Sequence, residues 1–208
     1  MDKNKLKAGL TKALTDGTGK AKFEQSVEIA VNFNNVDFKK PENRLNAEVV
    51  MPFAPKPVKV AVFADGQVAL ESKTLADAVF NAADIQAFTD KKKQKELLQY
   101  TILAQPIFMA QIGKALGQVL GAKGKLPRPL LPGSNIKDAV ERAKHTVVIK
   151  NKGKYLPTVH VIVGKEKMKQ EELLENVMAV LDAITKKIPE SQVTNVYIKT
   201  TMGPAVKV

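Results

Sequence analysis

The sequence contains no cysteine and no tryptophan, and only two histidines among its 208 residues. The first absence excludes disulfides, thiolate metal sites and a cysteine nucleophile. His145 and His160 each lack a second ligand at metal-binding spacing, and His160 falls inside an alternating strand pattern, so no metal centre is expected. Aromatic residues are scarce, at 5% against 44% apolar residues overall, so a sizeable core is available but must be mostly aliphatic. No long apolar run exists either. The most apolar stretch, residues 101–113, is interrupted by Gln105, Pro106 and Gln111 and is too short to span a bilayer. Met1-Asp2-Lys3-Asn4-Lys5 is charged with no apolar segment behind it, so a signal peptide is not expected. These absences point to a soluble, cytoplasmic chain with no membrane partner.

Acidic residues are also in deficit. Lys and Arg number 33 against 21 Asp and Glu, a net charge of +12 and a pI near 9.7. An excess of that size favours a polyanionic partner, nucleic acid first. It is spread thinly: ten basic against seven acidic groups over residues 1–58, thirteen against eight over 59–145, and ten against six over 146–208. With no basic tail, any nucleic-acid surface must be assembled by folding.

Along the chain, Leu6, Leu10 and Leu14 form one stripe of an amphipathic helix that ends near Asp16-Gly17-Thr18-Gly19. Val27, Ile29, Val31 and Phe33 alternate with Glu28 and Asn32, a half-buried strand, and residues 47–51 read as a second. Pro52, Pro55 and Pro57 form a stiff boundary. Residues 58–64 are a near-continuous apolar run, as in a strand covered on both faces. Helical patterns at 68–79, 91–100, 107–120 and 136–144 then alternate with candidate strands at 85–88 and 101–104, which argues for a doubly wound parallel sheet. Half-buried strands return at 147–150, 158–163 and 193–201, around a helix at 170–187. The fold class expected is α/β with two domains. One economical arrangement is a domain inserted into another: residues 1–57 and 146–208 as a discontinuous α+β domain of split β-α-β sandwich type, and residues 58–145 as an inserted Rossmann-like domain.

Catalytic signatures are missing. The turn after the first strand of the middle region, Phe63-Ala64-Asp65-Gly66-Gln67, lacks the glycine repeat of a dinucleotide site. Lys123 and Lys125 lie among Gly117, Gly121 and Gly124, yet no Gly-Lys-Ser/Thr of a phosphate loop occurs. Asp65, Asp77 and Asp84 are scattered and suit helix caps or a solvated face. No enzyme activity and no cofactor are expected.

Three segments are harder to explain as packing. Lys22-Phe23-Glu24-Gln25-Ser26-Val27-Glu28 leads into the first strand. Lys123-Gly124-Lys125-Leu126-Pro127-Arg128-Pro129 is a basic, proline-stiffened loop. Thr200-Thr201-Met202-Gly203-Pro204-Ala205-Val206-Lys207 follows the last strand and joins two hydroxyls, a flexible thioether and an unhindered glycine. Hydroxyls and backbone amides reach ribose 2′-OH groups, glycine permits close backbone approach, and methionine fits an irregular apolar surface. An isolated Met-Gly-Pro would read as a turn.

In order along the chain, these segments resemble the universal ribosomal protein L-one family, the protein of the mobile stalk beside the ribosomal exit site, in its archaeal form. The resemblance spans essentially the whole chain: Lys22-Phe23, Lys40-Pro41-Glu42-Asn43-Arg44, Glu48-Val49-Val50-Met51-Pro52, Gly117-Gln118-Val119-Leu120-Gly121 with the basic loop, Val163-Gly164, and Thr201-Met202-Gly203-Pro204. In one departure, Ala122-Lys123 stands where many members carry Pro-Arg, replacing a forked guanidinium by a point charge.

The resemblance implies a terminal domain that grips the stalk of large-subunit rRNA and binds a similar structure in the messenger of its own operon, repressing translation. It implies a stalk that helps release deacylated exit-site tRNA, two hinged domains, and a monomer away from the ribosome. It places Lys22, Phe23, Ser26, Glu28, Thr200, Thr201, Met202, Gly203 and Pro204 on the RNA, with Arg44, Lys123, Lys125, Arg128 and Lys152 as secondary contacts. Lys22 would meet a phosphate, Phe23 a ribose or base, Ser26 and the threonines 2′-OH groups, and Glu28 a ribose hydroxyl or base amine. Two other classes compete: a nucleotide- or small-molecule-binding enzyme using the doubly wound domain, and a basic protein–protein adaptor.

Overall fold

The computed structural model describes residues 2–17, 19, 21–40, 43–131, 135–151 and 156–208. In chain order, helix α1 (Lys3–Gly17) leads to strands β1 (Ser26–Phe33), β2 (Asn46–Val50) and β3 (Lys59–Phe63). Next come α2 (Gly66–Leu75), β4 (Ala78–Phe80), α3 (Ala82–Ala87), α4 (Lys91–Leu97), β5 (Tyr100–Ala104), α5 (Pro106–Ala122), β6 (Arg128–Pro129) and α6 (Ile136–His145). The chain continues through β7 (Thr146–Lys150), β8 (Thr158–Lys165), α7 (Gln170–Thr185), a 3-10 turn at Glu190–Gln192, β9 (Val193–Thr200) and β10 (Val206–Lys207). It divides into two compact units, Met1–Lys56 with His145–Val208, and Pro57–Lys144.

The first unit is α+β. Its main sheet is antiparallel in the order β10-β9-β1-β8, which places the first and last long strands side by side. Period-two alternation turns Val27, Ile29, Val31 and Phe33 of β1 inward with Val159, Val161 and Val163 of β8 and Val196 and Ile198 of β9. Leu6, Leu10, Ala13 and Leu14 of α1 and Leu173, Leu174, Val177, Val180, Leu181 and Ile184 of α7 cover that face at helical spacing. Among the described residues no core cluster forms on the opposite face, where Ser26, Glu28 and Asn32 are half-buried and His160 is exposed. Strands β2 and β7 form a separate antiparallel pair whose Ile149 joins the same core.

The second unit is a parallel sheet in the order β4-β3-β5-β6. Because β3 is central, successive side chains enter two different cores. Val60, Val62 and Ala64 meet Ala69 of α2 and Ile136, Val140 and Ala143 of α6. Phe63, with Ile102 and Ala104 of β5, meets Phe108, Ile112, Leu116 and Leu120 of α5. Helices on both faces make the sheet doubly wound, so the architecture is the two-domain α/β class indicated by the sequence texture.

Local expectations fail in short segments. The 68–79 helical pattern ends at Leu75, and Ala78–Phe80 is a strand. Asp77 carries the chain there, its carboxylate accepting from the Val60 amide at 2.7 Å. Residues 85–88, expected as a strand, belong mostly to α3, whose Asn81 and Asp84 form a capping box. Four apolar-rich residues carry too little periodicity to tell strand from helix. The 91–100 helix stops at Leu97 and Tyr100 already opens β5. The two-residue strands β6 and β10 are too short to leave any pattern.

Candidate nucleic-acid interface

The register of β1 and β9 brings the two most specific segments together. Val27 lies opposite Thr200 and Glu28 opposite Lys199, so the chain leaves β9 where it enters β1. The Thr201 hydroxyl closes the junction, accepting from the Ser26 amide at 3.1 Å and donating to the Ser26 carbonyl at 3.3 Å. Two residues beyond Phe23, the Gln25 side-chain oxygen accepts from the Met202 amide at 2.9 Å. Phe23 and Met202 are 55% and 62% exposed, two large uncharged side chains presented to solvent by one junction. Lys22 and Pro204 are exposed beside them, and Ser26, Glu28, Thr201 and Gly203 are half-buried.

Thr200 departs from expectation. It is fully buried and its hydroxyl has no hydrogen-bond partner among the described residues. The hydroxyl fills the space left by two glycines: a Cβ on Gly17 would lie 2.1 Å from it, and one on Gly203 would lie 2.3 Å away. Thr200 is therefore a packing residue that sets the approach of α1 to the segment after β9, and it presents no group to an RNA.

The secondary candidates are spread over both units. Arg44 is exposed and reaches the Phe38 and Lys39 carbonyls only at 3.4 Å. Lys123, Lys125 and Arg128 belong to the second unit. Lys125 is half-buried there and donates to the Leu98 and Tyr100 carbonyls, on either side of the start of β5. Lys123 is exposed at the end of α5, and Arg128 is half-buried in β6. Lys152 lies outside the described residues, as do Pro41 and Glu42 of the Lys40–Arg44 motif.

Three residues around the junction escape a reading by motif. Lys199 is the cross-strand neighbour of Glu28, which sets a basic residue beside that carboxylate at the junction. Lys165 is the cross-strand neighbour of Ser26, and its ammonium reaches the Glu24 carbonyl at 3.4 Å. Gln25 is buried beneath the loop that it contacts. Stepping two residues back from Thr201 along β9 would have found Lys199; Gln25 leaves no such signal.

Other chemistries find little support. Among the described residues no group of three or more His, Cys, Asp or Glu side chains could hold a metal ion. In the doubly wound unit, the turn where a nucleotide phosphate would dock is occupied by the chain's own oxygens. Asp65 accepts from the Gly66 amide at 2.8 Å, and the Gln105 side chain accepts from the Asp65 amide at 3.0 Å. No described helix is long and apolar enough to cross a membrane.

Comparison with known proteins agrees with the resemblance carried by the motifs. The model of the ribosomal protein L1p/L10e family matches residues 11–204. The large ribosomal subunit protein uL1 of Thermoplasma volcanium is 40% identical over 214 aligned positions, covering 100% of this chain and 97% of its own. That of Pyrococcus abyssi is 43% identical, covering 96% and 94%, and that of Archaeoglobus fulgidus is 39% identical, covering 100% and 99%. A match that takes in both β1 and the loop after β9 admits one conclusion: the chain belongs to the ribosomal protein L1p/L10e family.

Proposed function

We propose that the first unit seats the rRNA of the mobile stalk on the junction of β1 and β9. Membership of a ribosomal protein family gives the class: a structural, non-enzymatic component of the large ribosomal subunit. The observation that carries the finer reading is the joint exposure of Phe23 and Met202 beside a hydrogen-bonded strand junction.

In this reading Lys22, Lys165 and Lys199 supply attraction to phosphates, while uncharged groups discriminate. Phe23 and Met202 pack against ribose and base. The Ser26 and Thr201 hydroxyls and the Gly203 backbone face the 2′-OH edge, and Glu28, paired across the strands with Lys199, accepts from a ribose hydroxyl or base amine. Such a patch reads the shape of a folded RNA, so a similar structure in the operon's own messenger would compete for it, and binding there would repress translation. Holding the stalk also serves the release of deacylated tRNA at the exit site. The free protein acts as a monomer.

Filter binding to a stalk rRNA fragment tests this assignment. Met202→Asp weakens binding about 30-fold and Lys123→Ala less than about threefold, with a shallow dependence on salt because few phosphates are neutralised. Equal losses for the two variants, or a steep salt slope, contradict it.

A further inference from the structure

We infer that Gln25 is a positioning residue for RNA recognition, a buried latch that holds Met202 in its binding conformation; this rests on the RNA seat proposed above. Gln25 is 1% exposed and immediately precedes β1. Its side chain joins three segments, two of them remote in sequence. The amide nitrogen donates to the Gly17 carbonyl at the end of α1 at 2.7 Å, and to the Glu166 carboxylate after β8 at 3.2 Å. The amide oxygen accepts from the Met202 amide at 2.9 Å. The Gln25 backbone carbonyl in turn accepts from the Glu166 amide at 3.1 Å. Both donor hydrogens and the acceptor are thus engaged in a site closed to water, the condition under which a polar side chain fixes one geometry.

The chemistry requires a neutral amide. Glutamate could accept from Met202 but not donate to Gly17, and it would stand against the Glu166 carboxylate. Lysine or arginine could donate but not accept. With its amide tied inward to Gln25, Met202 carries its side chain outward, 62% exposed. Gln25 itself is covered and touches no RNA. Its contribution is to hold the Met202 backbone before RNA arrives, so that binding does not have to order the loop.

The test is a double-mutant cycle on the full chain with a stalk rRNA fragment, each variant checked by thermal melting. Gln25→Ala weakens binding about tenfold in the otherwise unchanged protein, and less than about twofold in a Met202→Ala background, because the latch then has no side chain to present. Gln25→Glu also weakens binding, and adding Glu166→Gln recovers only part of the loss, since the exchanged pair accepts from Met202 without facing carboxylates but still donates nothing to the Gly17 carbonyl. This second arm decides the matter if Gln25→Ala does not fold. Equal losses in both backgrounds, no loss at all, or no recovery in the exchanged pair overturns the positioning role. A wild-type protein that fails to bind stalk rRNA would instead overturn the seat itself.

Discussion

Gly203→Val weakens binding to stalk rRNA about 100-fold while leaving the protein folded, the largest effect expected from one substitution at the junction. The cause is space. A Cβ at Gly203 would lie 2.3 Å from the Thr200 hydroxyl and 2.9 Å from the Cα of Gly17. Thr200 cannot retreat, because it is enclosed, and Gly17 belongs to the last turn of α1, whose Ala13 and Leu14 are set in the core. The segment after β9 must therefore swing outward, taking Met202 and Pro204 with it. Overpacking of this kind costs about 1–3 kcal/mol of folding stability, which a well-packed unit withstands. Filter binding beside a melting curve separates the two effects. Gly203→Ala carries the same Cβ and loses a large part of the affinity. Retention of full affinity by either variant would mean that the close approach of this loop to α1 does not shape the RNA surface.

Asn176→Leu lowers the stability of the first unit by about 3 kcal/mol, the largest loss expected from a change remote from the RNA seat. Asn176 is wholly buried on α7, among residues that are otherwise aliphatic. Its side-chain nitrogen donates to the Val163 carbonyl at 2.7 Å and the Phe53 carbonyl at 3.0 Å, and its oxygen accepts from the Phe53 amide at 3.1 Å. One side chain thus pairs with both backbone groups of Phe53 and also ties down the end of β8. Leucine has similar volume but leaves those groups unpaired, and Phe53 recovers part of the loss by reaching water. Native-state hydrogen exchange at the amides of β1 and β9 reads the change in this unit alone. A loss below about 1 kcal/mol would show that the pairing with Phe53 is dispensable.

Legibility in the sequence followed the length of the pattern. The leucine stripe of α1, the long apolar face of α7 and the alternation in β1 each repeat often enough for one period to win. The doubly wound sheet is visible in the apolar run, broken only by Lys59, that forms β3. Three-residue β4 and six-residue α3 carry fewer than two repeats of their own period, so strand pairing with the Asp77–Val60 bond decides the first and the capping box at Asn81 the second.

At the site, the two segments could be picked out by residue type, but not which of their side chains turn outward. The fate of Thr200 depends on Gly17, and that of Gln25 on Gly17, Glu166 and Met202, contacts made only once distant strands pair. Lys125 reads as a secondary RNA contact because lysine in a glycine-rich loop usually faces water. Here two carbonyls behind α4 capture it.

The most direct measurement is ultraviolet crosslinking of the protein to stalk rRNA, followed by mass spectrometry of the modified peptides. The account predicts adducts on residues 22–28 and 201–204, with Phe23 and Met202 foremost. Adducts confined to the second unit around Lys123 and Arg128, with both terminal segments unmodified, would contradict it.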